Sequence, residues 1–208
     1  MNSASYNQTA ESVNLSPLYA EGEEITIRGK TLRIISISGQ GRRSIVYQVE
    51  DSSDRLFALK IPVNRKPDTL NSLKNEELKA RAYSRYGFKH AGVIETGHDY
   101  ILKEWVDGMR GDRWTRKWAE EGFPSDAPQI IQLGRLIRDS AKKNIYLRDL
   151  NQNNLIWDGD EWVIIDTGSI KRRFLRSRII RLYREYISEN WGRSTTPDCS
   201  KVFRRLLP

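Results

Sequence analysis

The first third of the chain alternates short runs rich in isoleucine, valine and leucine with polar turns. Leu32–Ser38, Ile45–Glu50 and Leu56–Ile61 are short apolar or alternating segments that predict three strands of an opening β-meander. Gly39-Gln40-Gly41 separates the first two, and Asp51-Ser52-Ser53-Asp54 reads as the turn before the third. The period then lengthens. A helix is predicted from Asp68 to Tyr86, with Asp68 placed to cap its start and Gly87 to end it. Strands follow at Val93–Thr96 and Tyr100–Trp105. A long helix is predicted after Ser125 and Asp126, with Pro128 in its first turn, and it ends near Lys143. Its apolar stripe is Ile130, Leu133, Leu136 and Ile137. A last helix, about Lys171 to Asn190, carries Leu175, Ile179, Leu182, Tyr183 and Tyr186 on one face and arginines largely opposite, and is expected to pack on the 128–143 helix. Residues 1–22 are rich in Ser, Asn, Gln and Thr, with Glu11 the sole charge before Glu21, and are expected to be disordered for want of apolar residues to bury.

A length of 208 residues fits one domain with a real core, and 38% hydrophobic with 30% charged residues is ordinary for a globular chain. No apolar run approaches the length of a membrane span, and the N-terminus lacks the basic start and apolar core of a secretory signal. The single cysteine, Cys199, excludes an intramolecular disulfide and fits a reducing compartment. The net charge is +8, and from Ile170 onward eleven Lys and Arg stand against three acids, so the excess lies in the C-terminal segment. Such a patch can bind nucleic acid or an anionic membrane; its amphipathic spacing reads instead as a solvated helix face. No nucleic-acid partner and no stable membrane insertion are expected.

Polar signals interrupt the apolar pattern in a fixed order. Gly39-Gln40-Gly41-Arg42-Arg43-Ser44-Ile45-Val46 lies between two strands, where glycines let backbone N–H groups approach phosphate oxygens, although an ordinary hairpin turn uses the same residues. Phe57-Ala58-Leu59-Lys60 puts a lysine in an apolar strand, where its ammonium must meet a phosphate or a carboxylate. Glu76 and Glu77 on the following helix are both available. Glu76 shares a face with Leu73, Ala80 and Tyr83 and is taken as the inward acid, with Glu77 the alternative. Leu147-Arg148-Asp149-Leu150-Asn151-Gln152-Asn153-Asn154-Leu155 offers a carboxylate and, five residues on, an amide; phosphoryl transfer needs the first near the attacking hydroxyl and the second on a metal. A plain polar loop would not explain the strand-like Leu155-Ile156-Trp157 that follows at once. Trp162-Val163-Ile164-Ile165-Asp166-Thr167-Gly168 ends a buried strand on an aspartate suited to Mg²⁺ beneath phosphates, or to a simple strand-end turn.

Together these signals resemble the protein-kinase signature set, over about Leu32 to Gly168. The resemblance implies an α+β, truncated two-lobe protein-kinase-like fold. An antiparallel sheet lobe with one key helix would occupy about 23–106, and a reduced, mainly helical lobe about 107–208. It implies ATP and Mg²⁺ as cofactors. Gly39 and Gly41 would cover the phosphates, with Val46 also in the nucleotide site. Lys60 would pair with the α- and β-phosphates and be held by Glu76. Lys103-Glu104-Trp105-Val106-Asp107-Gly108 looks like the hinge, where the Glu104 carbonyl and the Val106 N–H would meet adenine. Asp149 would orient the acceptor hydroxyl and take its proton, and Asn154 and Asp166 would hold Mg²⁺.

Departures from that set narrow the resemblance. Ser44 replaces the third glycine, Leu147 the usual histidine, Thr167 the usual phenylalanine, and Asn151 a lysine that helps the transferred phosphate. Only 42 residues follow Asp166, with no Ala-Pro-Glu segment and no room for an activation loop. Small size, truncation and the Ser/Asn-rich start are similar to the minimal kinases among bacterial type III effectors, above all the HopBF family, which phosphorylates a host heat-shock chaperone of the ninety-kilodalton class. That resemblance implies secretion by a type III system into the host cytoplasm, 1–22 as a secretion signal, and a host protein phosphorylated on Ser or Thr. The alternatives are a small-molecule kinase of the aminoglycoside or sugar type, a weakly active pseudokinase scaffold, and a nucleic-acid or membrane binder using the basic tail.

Overall fold

The computed structural model describes residues 18–167, 170–172, 175–192 and 197–208. These form an α+β fold with a curled antiparallel sheet and five helices. Strands β1 (Glu24–Ile27), β2 (Lys30–Gln40), β3 (Ser44–Asp51) and β4 (Leu56–Pro62) run as a meander. Helix α1 (Pro67–Arg85) intervenes before β5 (Val93–Thr96) and β6 (Ile101–Glu104), and the sheet order is β1-β2-β3-β4-β6-β5. The sheet curls until its two edges meet through Arg28, whose Nε lies 3.2 Å from Glu95 Oε1. Leu32, Ile34, Ile45, Tyr47, Val49, Leu59, Ile61 and Leu102 fill the curl. Period-two alternation leaves Ala58 and Lys60 on the other face of β4, towards α1.

The second half is mainly helical. A two-residue strand β7 (Met109–Arg110) leads into α2 (Gly111–Glu120) and then α3 (Pro128–Lys142). Three short strands follow: β8 (Ile145–Leu147), β9 (Leu155–Trp157) and β10 (Trp162–Ile164). Strand β11 (Ile170–Arg172) pairs with β8, and α4 (Arg176–Gly192) and α5 (Pro197–Leu206) close the chain. Aromatic rings dominate this core. Trp114 stacks on Trp118 at 5.2 Å, and both Trp162 and Trp191 meet Trp114 edge-on. Each buried ring of this size removes 150–250 Å² from water, roughly, and its indole N–H needs an acceptor; Trp162 finds Gln129 O at 2.8 Å and Trp191 finds Leu150 O at 3.2 Å.

Several expectations need correction. Gly39 and Gln40 belong to β2, paired with Val46 and Ile45, so the turn proper begins at Gly41. Asp68 lies in the first turn of α1 but does not cap it; the N-cap is Lys66, followed by Pro67. Gly87 does end α1: its positive φ of 67° allows Phe88 N–H to reach Tyr83 O. The last long helix starts at Arg176, because residues 170–172 pair with β8, and Leu175 is 62% exposed. Of the 1–22 segment, 1–17 lie outside the described residues, whereas Tyr19 packs edge-on against Tyr47 and Gly22 N–H donates to Ile34 O. Helices α2 and α5 were not expected. Strand Val93–Thr96 and the 128–143 helix stand as read, and the latter meets α4 through the Ser140 to Tyr183 hydroxyl bond.

Candidate functional site

The site lies where the face of the sheet that turns towards α1, opposite the packed interior of the curl, meets the loops that follow α3. Lys60 sits opposite Val46 in β3 and Ile101 in β6, so Val46 shares its face. Its ammonium lies 2.6 Å from Glu76 Oε2 and 3.2 Å from Asp166 Oδ2. Burial alone would lower the Lys60 pKa. The Asp166 and Glu76 carboxylates outweigh that and hold it above the ordinary lysine range. Glu76 is 3% exposed, on the helix face that also buries Leu73, Ala80 and Tyr83. Glu77 points outward and pairs with Arg81, so the inward acid is Glu76.

Sequence reasoning missed a second lysine here. Lys103, in β6, is 3% exposed and places Nζ 2.9 Å from Glu76 Oε1 and 2.5 Å from Ile165 O. The sequence places it in the predicted Tyr100–Trp105 strand and at the start of a hinge, with no inward role. The available signal was its period-two partnership with Ile101, which is fully buried.

Asp149 and Asn154 lie on the loop between β8 and β9. Asn154 Nδ2 donates to Asp149 O at 2.9 Å, leaving the amide oxygen as the atom open to a cation. Ile165 N–H donates to Asn154 O at 3.0 Å, which sets the residue before Asp166 beside Asn154. Helix α4 holds the start of this loop: Tyr183 OH accepts the Leu147 N–H at 2.7 Å, and Trp191 reaches Leu150 O. Gly111, at the start of α2, packs so closely that a Cβ would lie 2.5 Å from Gln152 O. The departures at Leu147 and Thr167 thus have structural roles. Leu147 is buried in the aromatic core, and Thr167 Oγ1 donates to Glu76 O at 3.2 Å. Burial, then the Asp166 charge, raises the Asp149 pKa above the ordinary aspartate value, against the opposing pull of Arg148 and Lys79.

The remaining predicted residues lie at the β2–β3 connection and at and just beyond the end of β6. Gly39 and Gly41 have open space where a Cβ would stand, apart from Ser44 O at 3.6 Å from Gly41, and neither adopts a positive φ, so the turn itself does not require glycine there. Gly41 N–H donates to Ser44 O at 2.8 Å. Glu104 N–H donates to Gly92 O, and its carboxylate accepts the Gly92 N–H at 2.9 Å; a Cβ at Gly92 would lie 2.7 Å from that carboxylate. Val106 N–H makes no hydrogen bond among the described residues. Gly108 has a φ of 142°, and a side chain there would collide with Trp157 O. Gly168 lies outside the described residues.

Among the described residues no group of three or more His, Cys, Asp or Glu converges on a metal position. One amide oxygen and one carboxylate, from Asn154 and Asp166, suit Mg²⁺ completing its shell with water and phosphate oxygens, not a metal caged by protein alone. Among the described residues no helix is long and apolar enough to cross a membrane. Compared with known proteins, the chain matches no family model, and no curated protein matches it in sequence.

Proposed function

We propose that the chain is a protein-kinase-like phosphotransferase, using ATP and Mg²⁺ to phosphorylate a Ser or Thr hydroxyl of a folded protein. What supports this above all is the convergence of Lys60, Glu76 and Asp166 within hydrogen-bond reach, from residues as far apart in sequence as 60 and 166. Lys60 would turn part of its charge from Asp166 to the α- and β-phosphates. Val46, Gly39 at the end of β2 and Gly41 in the turn after it would cover the nucleotide, and the Glu104 carbonyl and Val106 N–H would meet the adenine edge. Bound at Asn154 and Asp166, Mg²⁺ would neutralise charge on the phosphates. Asp149 would accept the proton as the acceptor oxygen bonds the γ-phosphorus and the bond from that phosphorus to the β–γ bridging oxygen breaks, releasing ADP. Its raised pKa favours proton acceptance.

The acceptor is proposed on resemblance and charge. A chaperone of the ninety-kilodalton class, reached after type III secretion into a host cell, follows from the likeness to the HopBF family. An acidic face on that partner would suit the excess of Lys and Arg after Ile170. The test is transfer from labelled ATP to intact chaperone, to short peptides from it, and to a panel of sugars and aminoglycosides, each with wild type and Asp166→Ala. Labelling of the intact protein alone, lost in the variant, is the expected result. Labelling of a small molecule alone moves the chain to the small-molecule kinases, and no labelling by wild type removes the phosphotransfer reading.

A further inference from the structure

Lys103 poses a question that phosphate binding does not answer. An ammonium 3% exposed is expensive to bury unless its bonds are made, and an apolar side chain of similar volume would fill the same space. What lysine adds is direction. Its Nζ joins Glu76 Oε1, on α1, to Ile165 O, on the segment that leads to Asp166. Glu76 then spends both carboxylate oxygens, Oε1 on Lys103 and Oε2 on Lys60, which fixes its rotation. From the other side of Asp166, Thr167 Oγ1 donates to the backbone carbonyl of the same Glu76. Both neighbours of Asp166 are therefore tethered to residue 76, one through Lys103 and one directly. An outward shift of α1 would strain all of these contacts together. Ala58, the cross-strand partner of Lys103, is small enough to leave space beside the stem.

Resting on the phosphotransfer reading above, we propose that Lys103 is a positioning residue whose ammonium locks α1 to the Asp166 segment, so that Lys60, Glu76 and Asp166 stand assembled before nucleotide arrives. The site then needs no added phosphate or partner to draw α1 inward. Buried polar networks of this kind specify one arrangement only when every member is satisfied, and each oxygen of Glu76 is.

The experiment compares the full chain with Lys103→Met, Lys103→Arg, Glu76→Gln and the Lys103→Met/Glu76→Gln pair. It reads kcat and KM for ATP with Mg²⁺ and backbone hydrogen exchange without nucleotide. Lys103→Met keeps Glu76 paired with Lys60, which protects the fold. The expected result is a folded protein with KM within about threefold, kcat down by about tenfold or more, and faster exchange in α1 and at Thr167. Its effect should shrink in the Glu76→Gln background, because both act through one carboxylate. Lys103→Arg should also lose kcat, since a planar head cannot reproduce the two directed bonds; were the role charge balance alone, it would restore activity. Folded Lys103→Met with wild-type kcat and exchange overturns the proposal, as does full additivity with Glu76→Gln. If Lys103→Met fails to fold, Lys103→Arg with wild-type kcat and exchange overturns it instead. If wild type transfers no phosphate, the phosphotransfer reading falls, and hydrogen exchange alone decides whether Lys103 holds α1.

Discussion

On the sheet side of the site, Glu76 holds Lys60 and Lys103 by charge, with Glu76 and Lys103 almost wholly buried. On the helical side, Asp149 and Asn154 lie on a loop whose path is set by backbone contacts: Tyr183 at Leu147, Trp191 at Leu150, and Asn154 itself at Asp149 and Ile165. The difference teaches where each kind of damage should appear. A buried charge network is sensitive to the loss of any member, because the partner left behind stays desolvated. A loop braced by a distant helix tolerates changes in its exposed groups and is sensitive to its braces. Asp166 belongs to both sides, being paired with Lys60 and set in place through Ile165 and Thr167.

That double membership makes Asp166 the most damaging single change. Asp166→Ala should lower transfer by on the order of a thousandfold or more while the fold persists, since its side chain is 37% exposed and packs no core. Circular dichroism and single-turnover labelling check this, and transfer near the wild-type rate would remove Asp166 from the site. Next comes Lys60→Met, which keeps the apolar stem and deletes the charge. A loss of roughly a hundredfold in rate is expected, as for removing one preorganised electrostatic contact. A fall in solubility with no kinetic defect would instead make Lys60 structural.

The loop side should respond through its braces. Tyr183→Phe removes the acceptor of the buried Leu147 N–H, while Ser140 Oγ keeps Ile137 O. Leaving one buried donor unsatisfied should cost about 1–3 kcal/mol of stability, read by urea denaturation. A cost near zero would mean that α4 does not hold the start of the loop. Smaller still is the effect of charge beside Asp149. Protonated Asp149 cannot accept a proton, so kcat should fall as pH falls through its raised pKa, above the range of an ordinary aspartate. Arg148 opposes that rise, so Arg148→Ala should move the acid limb of the kcat profile further up. A limb that stays put or moves down contradicts this placement of Arg148.

The sheet side was more legible in the sequence than the helical side, for a physical reason. A lysine in Phe57-Ala58-Leu59-Lys60 and an acid among Leu73, Ala80 and Tyr83 are conflicts between charge and an apolar pattern, and such conflicts announce themselves. Lys103 left only the faint signal of sharing a face with Ile101, because Lys103-Glu104 after two apolar residues looks like a strand emerging into solvent. Helix α2 was hidden by its weak start at Gly111 and its three arginine and lysine residues between Trp114 and Trp118 or flanking them; the i, i+4 tryptophan pair was the trace it left. Strand β11 was absorbed into the last helix because Ile170-Lys171-Arg172 carries no period of its own, and only its pairing with β8 defines it. The order of Asp149, Asn154 and Asp166 was readable, but not the bond from Thr167 to Glu76, which needs the chain folded to bring positions 91 apart together.

The sharpest contrast in the molecule is also the smallest expected effect. Glu76 and Glu77 are neighbours of identical chemistry, one helix step apart. Glu76 is nearly sealed between two lysines, whereas Glu77 is 30% exposed at the side chain and pairs at 2.8 Å with Arg81, itself 73% exposed. An exposed i, i+4 pair on a helix contributes about 0.3–0.5 kcal/mol, and salt screens it further. Glu77→Ala should therefore change stability by no more than about 0.5 kcal/mol and leave kcat unchanged, whereas Glu76→Ala should leave Lys103 with only Ile165 O and Lys60 with only Asp166 and cost several kcal/mol, roughly, together with most of the activity. Measuring both variants by urea denaturation and by labelling in the same buffer sets the comparison directly. Similar losses at the two positions would mean that Lys60 and Lys103 draw on the face of α1 rather than on one carboxylate, and the charge network described for the sheet side would have to be redrawn around Glu77.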